Sequence, residues 1–174
     1  MSTTVYTVIV LLVALERLAE LVVSKRNTAW SFAQGGKEYG FAHYPVMVVL
    51  HTGLLVACLV EAQHRADPSA ALAWSMVTVV VLTQALRWWC IRTLGRQWNT
   101  RVLVVPGLTP VTDGPYRLMR HPNYVAVVVE GVALPLIHGC WITAVAFTLL
   151  NAVLLTVRIR VENAALATLE PARV

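Results

Sequence analysis

Charge is scarce in this chain: Asp, Glu, Lys and Arg make up only 13% of its 174 residues, against 57% hydrophobic. A soluble domain carries about a quarter charged residues, so the composition argues against an ordinary water-facing fold. Cysteine is equally sparse. Cys58, Cys90 and Cys140 are odd in number and scattered, without a Cys-x-x-Cys spacing. They imply neither a disulfide framework nor a metal site and read as small hydrophobes. Repeats and low-complexity stretches are missing too, which leaves one domain over residues 1–174. No G-x-G-x-x-G run occurs, an absence that neither proves nor excludes a dinucleotide cofactor.

Long apolar runs fill the space that charge leaves. Residues 5–24, about 43–62, about 70–91, about 124–138 and about 141–157 each read as membrane-embedded, consistent with a mean hydropathy of +0.65. The first three reach the roughly 20 residues that a spanning helix needs. The last two are shorter and joined at His138-Gly139, so they read as a tight helical hairpin, with a partial span as the alternative. The N-terminal run is interrupted by Glu16, Arg17 and Glu20 and no small-residue cleavage site follows, so it reads as a retained helix rather than a signal peptide. The expectation is an all-α integral membrane bundle of about five transmembrane helices with a cytoplasmic cofactor-binding segment, about residues 92–166.

The formal charge of +5 suggests nucleic acid only until its distribution is followed. With the end of the third helix in the cytoplasm, Lys25, Arg26, Lys37, Arg87, Arg92, Arg96, Arg101, Arg117, Arg120, Arg158, Arg160 and Arg173 fall on or near that side. Only Arg65 is outside, while Arg17 lies within the first helix. This positive-inside bias places the protein in the cell membrane, multi-pass, N-terminus outside and C-terminus cytoplasmic. Its basic residues then meet anionic lipid headgroups, and no nucleic-acid partner is expected. Loop 25–42 is expected on the cytoplasmic side, with Trp30, Phe32, Tyr39 and Phe41 at the interface.

The longest polar stretch, 92–123, is punctuated by Gly95, Pro106-Gly107, Pro110 and Asp113-Gly114-Pro115, so it reads as a series of turns. Within it Val102 to Val105 is β-branched and apolar, suited to an extended piece. Pro115 is placed to open a short helix reaching Met119. His121 precedes Pro122, so the chain bends there and Pro122 starts the fourth helix. The first amides of that helix favour an anion, and the bend brings the His121 ring toward the Tyr124 phenol.

Arginines, an imidazole and two phenols thus gather in residues 114–124, and Arg158 and Glu162 return at the end of the last apolar run. Such a set suits a small charged cofactor at the membrane surface. The pattern Gly114-x-Tyr116-x-x-x-Arg120-His121-Pro122-x-Tyr124, then a hydrophobic hairpin and Arg158-x-x-x-Glu162-x-x-x-Leu166, resembles the isoprenylcysteine carboxyl methyltransferase family over roughly the C-terminal half. The resemblance implies S-adenosylmethionine as cofactor, held by Tyr116, Arg120, His121, Pro122, Asn123, Tyr124, Arg158 and Glu162. Arg120 or Arg158 would fork the cofactor carboxylate, and Glu162 would take its ammonium or a ribose hydroxyl. Tyr116 and Tyr124 offer faces to adenine or the sulfonium. Two departures stand out: the family's second adjacent glutamate is Asn163 here, and a frequent glycine is Ala126. Without the motif, Arg158 and Glu162 are an intrahelical pair and the aromatics are interfacial anchors.

The acceptor implied is lipophilic and reaches the site from the bilayer. Short bacterial relatives resemble the chain in Trp98-Asn99-Thr100-Arg101-Val102 and act on alkylpyrone or alkylresorcinol hydroxyls, which favours a hydroxyl over a prenylated cysteine carboxylate. A hydroxyl benefits from a base, and Glu130, with His121, is the catalytic candidate. An ionised Glu130 needs a partner, for which Arg87 is one choice; a structural, hydrogen-bonded glutamate is the alternative. Glu16, Arg17 and Glu20 read as an ion cluster holding the first helix, and His51 as an interhelical hydrogen-bonding group. A nicotinamide-dependent reductase of the steroid-reductase type and a small transporter or assembly subunit are the rival readings. Oligomeric state is not legible.

Overall fold

The computed structural model describes residues 1–169, so Arg173 lies outside the described residues. Five α-helices carry the fold: α1 (Thr3–Ala33), α2 (His43–Ala62), α3 (Ala70–Leu94), α4 (Pro122–Leu136) and α5 (Trp141–Leu166). By length and composition α2, α3 and α5 can cross a membrane. α4 has 15 residues, and the charges of α1 break its apolar run. Two short strands, β1 (Lys37–Tyr39) and β2 (Val102–Val104), pair antiparallel with Glu38 opposite Leu103. β2 is the extended piece expected at Val102 to Val105.

The helices turn many large apolar residues outward and bury polar ones, Glu20, Asn27 and Asn151 among them, beside an apolar core. Tyr6 and Val10 of α1, Leu54 and Cys58 of α2, Leu134 of α4 with Ile137 just past its end, and Phe147 of α5 form the main core. Leu11, Leu15, Val49, Leu82, Leu149 and Val153 are exposed. Apolar surface on this scale belongs against lipid rather than water. The α4–α5 hairpin turns at His138 to Cys140, with Gly139 at φ 68°, as its dipeptide suggested. Glu61 of α2 caps the start of α5, accepting from the amides of Ile142 at 3.2 Å and Thr143 at 2.7 Å.

Two helices run further than the apolar runs. α1 continues to Ala33, so Lys25 to Phe32 are helical rather than loop. Nothing in that stretch breaks a helix until Gly35, at φ 76°, lets the Gly36 amide close back on Ser31 O at 2.8 Å. The extension has a polar, buried face: Ser24, Asn27 and Ser31. α5 likewise continues past Val157, placing Arg158 and Glu162 inside the helix rather than at its end.

Charges in the bundle interior form one network across α1, α3 and α4. Arg87 makes two bonds to Glu20, at 2.7 and 2.6 Å, while Arg17 reaches Glu20 at 2.6 Å and Glu130 at 2.8 Å. The partner of Glu130 is therefore Arg17 rather than Arg87, because the bidentate fork of Arg87 is taken by Glu20. Gln84 and the Trp88 indole both donate to Glu16. His51 bonds Met47 O of its own helix at 2.9 Å rather than another helix.

Candidate functional site

The site forms where the start of α4 meets the end of α5. Proline at the first position of α4 fixes the preceding residue, and His121 takes φ −130° and ψ 60°. That bend stacks the His121 ring on Tyr124, centroids 5.4 Å apart. One α5 turn faces them. The Tyr124 hydroxyl donates to Glu162 Oε2. His121 Nδ1 lies 3.5 Å from Glu162 Oε1, and its Nε2 lies 3.1 Å from Asn163 Oδ1. The amide standing in for a second glutamate thus serves as a hydrogen-bond acceptor at the imidazole.

Both His121 nitrogens face oxygen acceptors, which favours the doubly protonated ring. The Glu162 hydrogen bond, then its charge and Asn163, raise the His121 pKa above the ordinary value of 6.5 despite burial, which acts the other way. The charged ring therefore favours the folded state below about pH 6.5, and this contribution is lost as pH rises through the higher folded value. NMR titration of labelled His121 is expected to give a pKa above 6.5 in the wild type. Glu162→Gln should bring it down; an unmoved value would contradict the contact.

Arg158 is 5% exposed and does not pair with Glu162, despite the four-residue spacing. Its Nη2 donates to Thr100 O at 2.9 Å, its Nη1 lies 2.9 Å from Met47 Sδ, and its Cζ sits 5.8 Å from the Tyr124 ring centroid. Its Nε is buried without a partner among the described residues, as is Asn123 Oδ1. Tyr116 stands on the 3-10 turn Gly114–Arg117, reached through Gly114 at φ 55°. Burial, then the Cys90 thiol, pushes the Tyr116 phenol above its usual range. The expected short helix is this turn, which ends before Met119.

His121, Asn123, Tyr124, Arg158 and Glu162 are therefore brought together, with Pro122 shaping the bend. Arg120 is exposed, with no hydrogen bond or ion pair among the described residues. Of the two arginines, only Arg158 joins the cluster. Glu130 lies six residues along α4 from Tyr124, about 9 Å of helical rise, and is held by Arg17. The structure does not bring it to the cluster.

Sequence reasoning missed the support behind Arg158. Thr100 presents its carbonyl because residues 95–100 are fastened to α1. Asn27 Nδ2 donates to Gly95 O at 3.1 Å and Trp98 O at 2.7 Å, and Ser24 Oγ accepts from the Thr100 amide at 3.1 Å. Small polar residues at helical spacing (24, 27, 28 and 31) were the available signal.

The donor set fits S-adenosylmethionine on the structure's own evidence. A buried guanidinium with an orphaned N–H suits a carboxylate, an acidic oxygen pair suits an ammonium or a ribose diol, and two phenol rings lie close by. No group of three or more His, Cys, Asp or Glu able to hold a metal ion occurs among the described residues.

Comparisons with known proteins point the same way. The profile of the Isoprenylcysteine carboxyl methyltransferase (ICMT) family matches residues 76–168. The uncharacterized protein YpbQ of Bacillus subtilis (strain 168) is 35% identical over 158 residues, 91% of this chain and 94% of that protein. An uncharacterized protein of Haemophilus influenzae is 22% identical over 156 residues, 89% and 91% of the two chains. No solved structure matches at a significant level. The profile takes in α4, α5 and every member of the site cluster, and on that match the chain belongs to the isoprenylcysteine carboxyl methyltransferase family.

Proposed function

We propose that this membrane methyltransferase uses S-adenosylmethionine to methylate an oxygen of a lipophilic acceptor, a long-chain alkylresorcinol or alkylpyrone hydroxyl before a prenylcysteine carboxylate. The observation that carries the reading is the meeting of His121 and Tyr124 on α4 with Arg158 and Glu162 on α5. Arg158 takes the cofactor carboxylate, Glu162 the ammonium or a ribose hydroxyl, and Tyr116 and Tyr124 give ring faces. His121, held in turn by Asn163, orients Glu162 from the side, and Asn123 offers a further acceptor. When bound, the cofactor supplies an electrophilic methyl group. The chain's part is to position both reactants and exclude water.

An apolar groove between α3 and α4, lined among others by Leu82, Leu86, Val125 and Ala126, begins one residue from Tyr124. It supports a path for the acceptor's alkyl chain from the bilayer. The basic residues support a five-span arrangement in the cell membrane with the N-terminus outside and the site cytoplasmic.

Incubating membranes that contain the protein with methyl-labelled cofactor tests the reading. Label should pass to a long-chain alkylresorcinol, and to a farnesylcysteine analogue less readily; label in neither would defeat it. Glu130→Gln asks whether the carboxylate serves as base or ion pair. With Arg17 holding it, cofactor affinity and resorcinol turnover are both expected to stay within about twofold, because neither uses that carboxylate directly. Turnover that slows while affinity holds would restore Glu130 as the base.

A further inference from the structure

The segment 95–100 holds a second unpartnered donor. Asn99 Oδ1 accepts from Thr28 Oγ1 at 2.7 Å and from Ser24 Oγ at 3.0 Å. Ser24 Oγ accepts the Thr100 N–H at 3.1 Å and lies 2.8 Å from Thr100 Oγ1; with the Thr100 hydroxyl donating, the Ser24 proton points at Asn99. Two α1 hydroxyls therefore fix which way the amide faces. Its Nδ2 is buried and has no partner among the described residues. A buried donor left unmade costs about 1–3 kcal/mol, so a fixed amide with an idle N–H calls for an acceptor from outside the chain.

The position says which acceptor. The next residue's carbonyl, Thr100 O, receives Arg158 Nη2 at 2.9 Å, and Arg158 Nε is likewise buried and unpartnered among the described residues. Thr100 thus links the two residues that carry idle N–H donors, Asn99 as its chain neighbour and Arg158 as its hydrogen-bond partner, and two such donors suit a ligand end with two acceptor oxygens, a carboxylate. On the S-adenosylmethionine reading, on which this depends, we propose that Asn99 is a further cofactor-binding residue. It donates to the carboxylate beside Arg158 and is held in position by Ser24 and Thr28 of α1. The N-terminal helix, outside the family-matched residues 76–168, thereby sets part of the cofactor site.

The test is titration of the purified full chain with S-adenosylhomocysteine and with its decarboxylated analogue, which keeps the adenosine and the amine. Asn99→Ala should weaken S-adenosylhomocysteine by about ten- to a hundredfold and leave the decarboxylated ligand within about twofold. Asn99→Asp should weaken the carboxylated ligand further by setting two negative charges together. The Ser24→Ala/Thr28→Val double variant should show the Asn99→Ala pattern in milder form. Equal weakening of both ligands would make Asn99 a scaffold of the loop, and unchanged affinity for both would remove it from the site; either overturns the proposal. A wild type that binds neither ligand removes the cofactor reading itself, and the proposal with it. Unaltered binding of the decarboxylated ligand doubles as the control for folding.

Discussion

Glu162→Gln is expected to weaken S-adenosylhomocysteine by about a hundredfold and to abolish detectable methyl transfer at ordinary cofactor concentrations. The substitution keeps the side chain's volume and an oxygen for the Tyr124 hydroxyl, so the phenol retains its acceptor. What it removes is the charge. His121 Nδ1, 3.5 Å from Glu162 Oε1, loses the partner that favours its protonated form. On the proposed reading the cofactor's ammonium or ribose hydroxyl loses this carboxylate, and the neighbouring Asn163 is neutral. A charge-assisted bond and the ordering of a second side chain are lost together, which is why the effect exceeds that of a single neutral hydrogen bond. Affinity measured by titration, with the thermal midpoint as control, checks it. Unchanged affinity would take Glu162 out of the site.

The second large effect is on stability. Glu20→Ala is expected to cost about 3–5 kcal/mol, because removing one partner of a buried ion pair leaves the other charge uncompensated. Glu20 is 2% exposed and receives bonds from both Arg87 and Arg17. Two guanidiniums would be left with Glu16 and Glu130 as their remaining carboxylate neighbours. The network ties α1 to α3 and α4, so its loss should lower the unfolding midpoint in detergent before it touches the cofactor site. Replacing Glu20 and Arg87 together by leucine and methionine should recover most of the loss, since apolar packing removes the desolvation cost of both ions. A single variant with a wild-type midpoint would contradict this account of the network.

Local features were legible in the sequence and tertiary ones were not. The bend at His121-Pro122 and the turn at Asp113-Gly114 follow from backbone restrictions of proline and glycine, which act within one or two residues. The hairpin at His138-Gly139 was readable for the same reason, and the extended Val102 to Val105 from its β-branched run. Composition marked the chain for the membrane, and spacing within residues 114–124 assembled half the site. The other half depends on which helix lies beside which. Arg87 and Arg17 are both placed to reach Glu130, and only the packing of α1 against α3 decides for Arg17. Arg158 and Glu162 have the spacing of an intrahelical pair, yet one turns to Thr100 and the other to His121 and Tyr124. The end of α1 was read too early because the apolar run stops before the helix does. From Ser24 onward that helix is held by hydrogen bonds to residues 95–100, a partner that no local pattern names.

The measurement that bears most directly on the site is titration of the detergent-purified protein with S-adenosylhomocysteine beside NADPH, on the wild type and Arg158→Ala. Saturable binding of the adenosyl ligand, lost in the variant, with no NADPH binding, is the predicted result. Binding of NADPH alone, or S-adenosylhomocysteine binding that survives the loss of Arg158, would contradict the assignment of this cluster as a methyl-donor site.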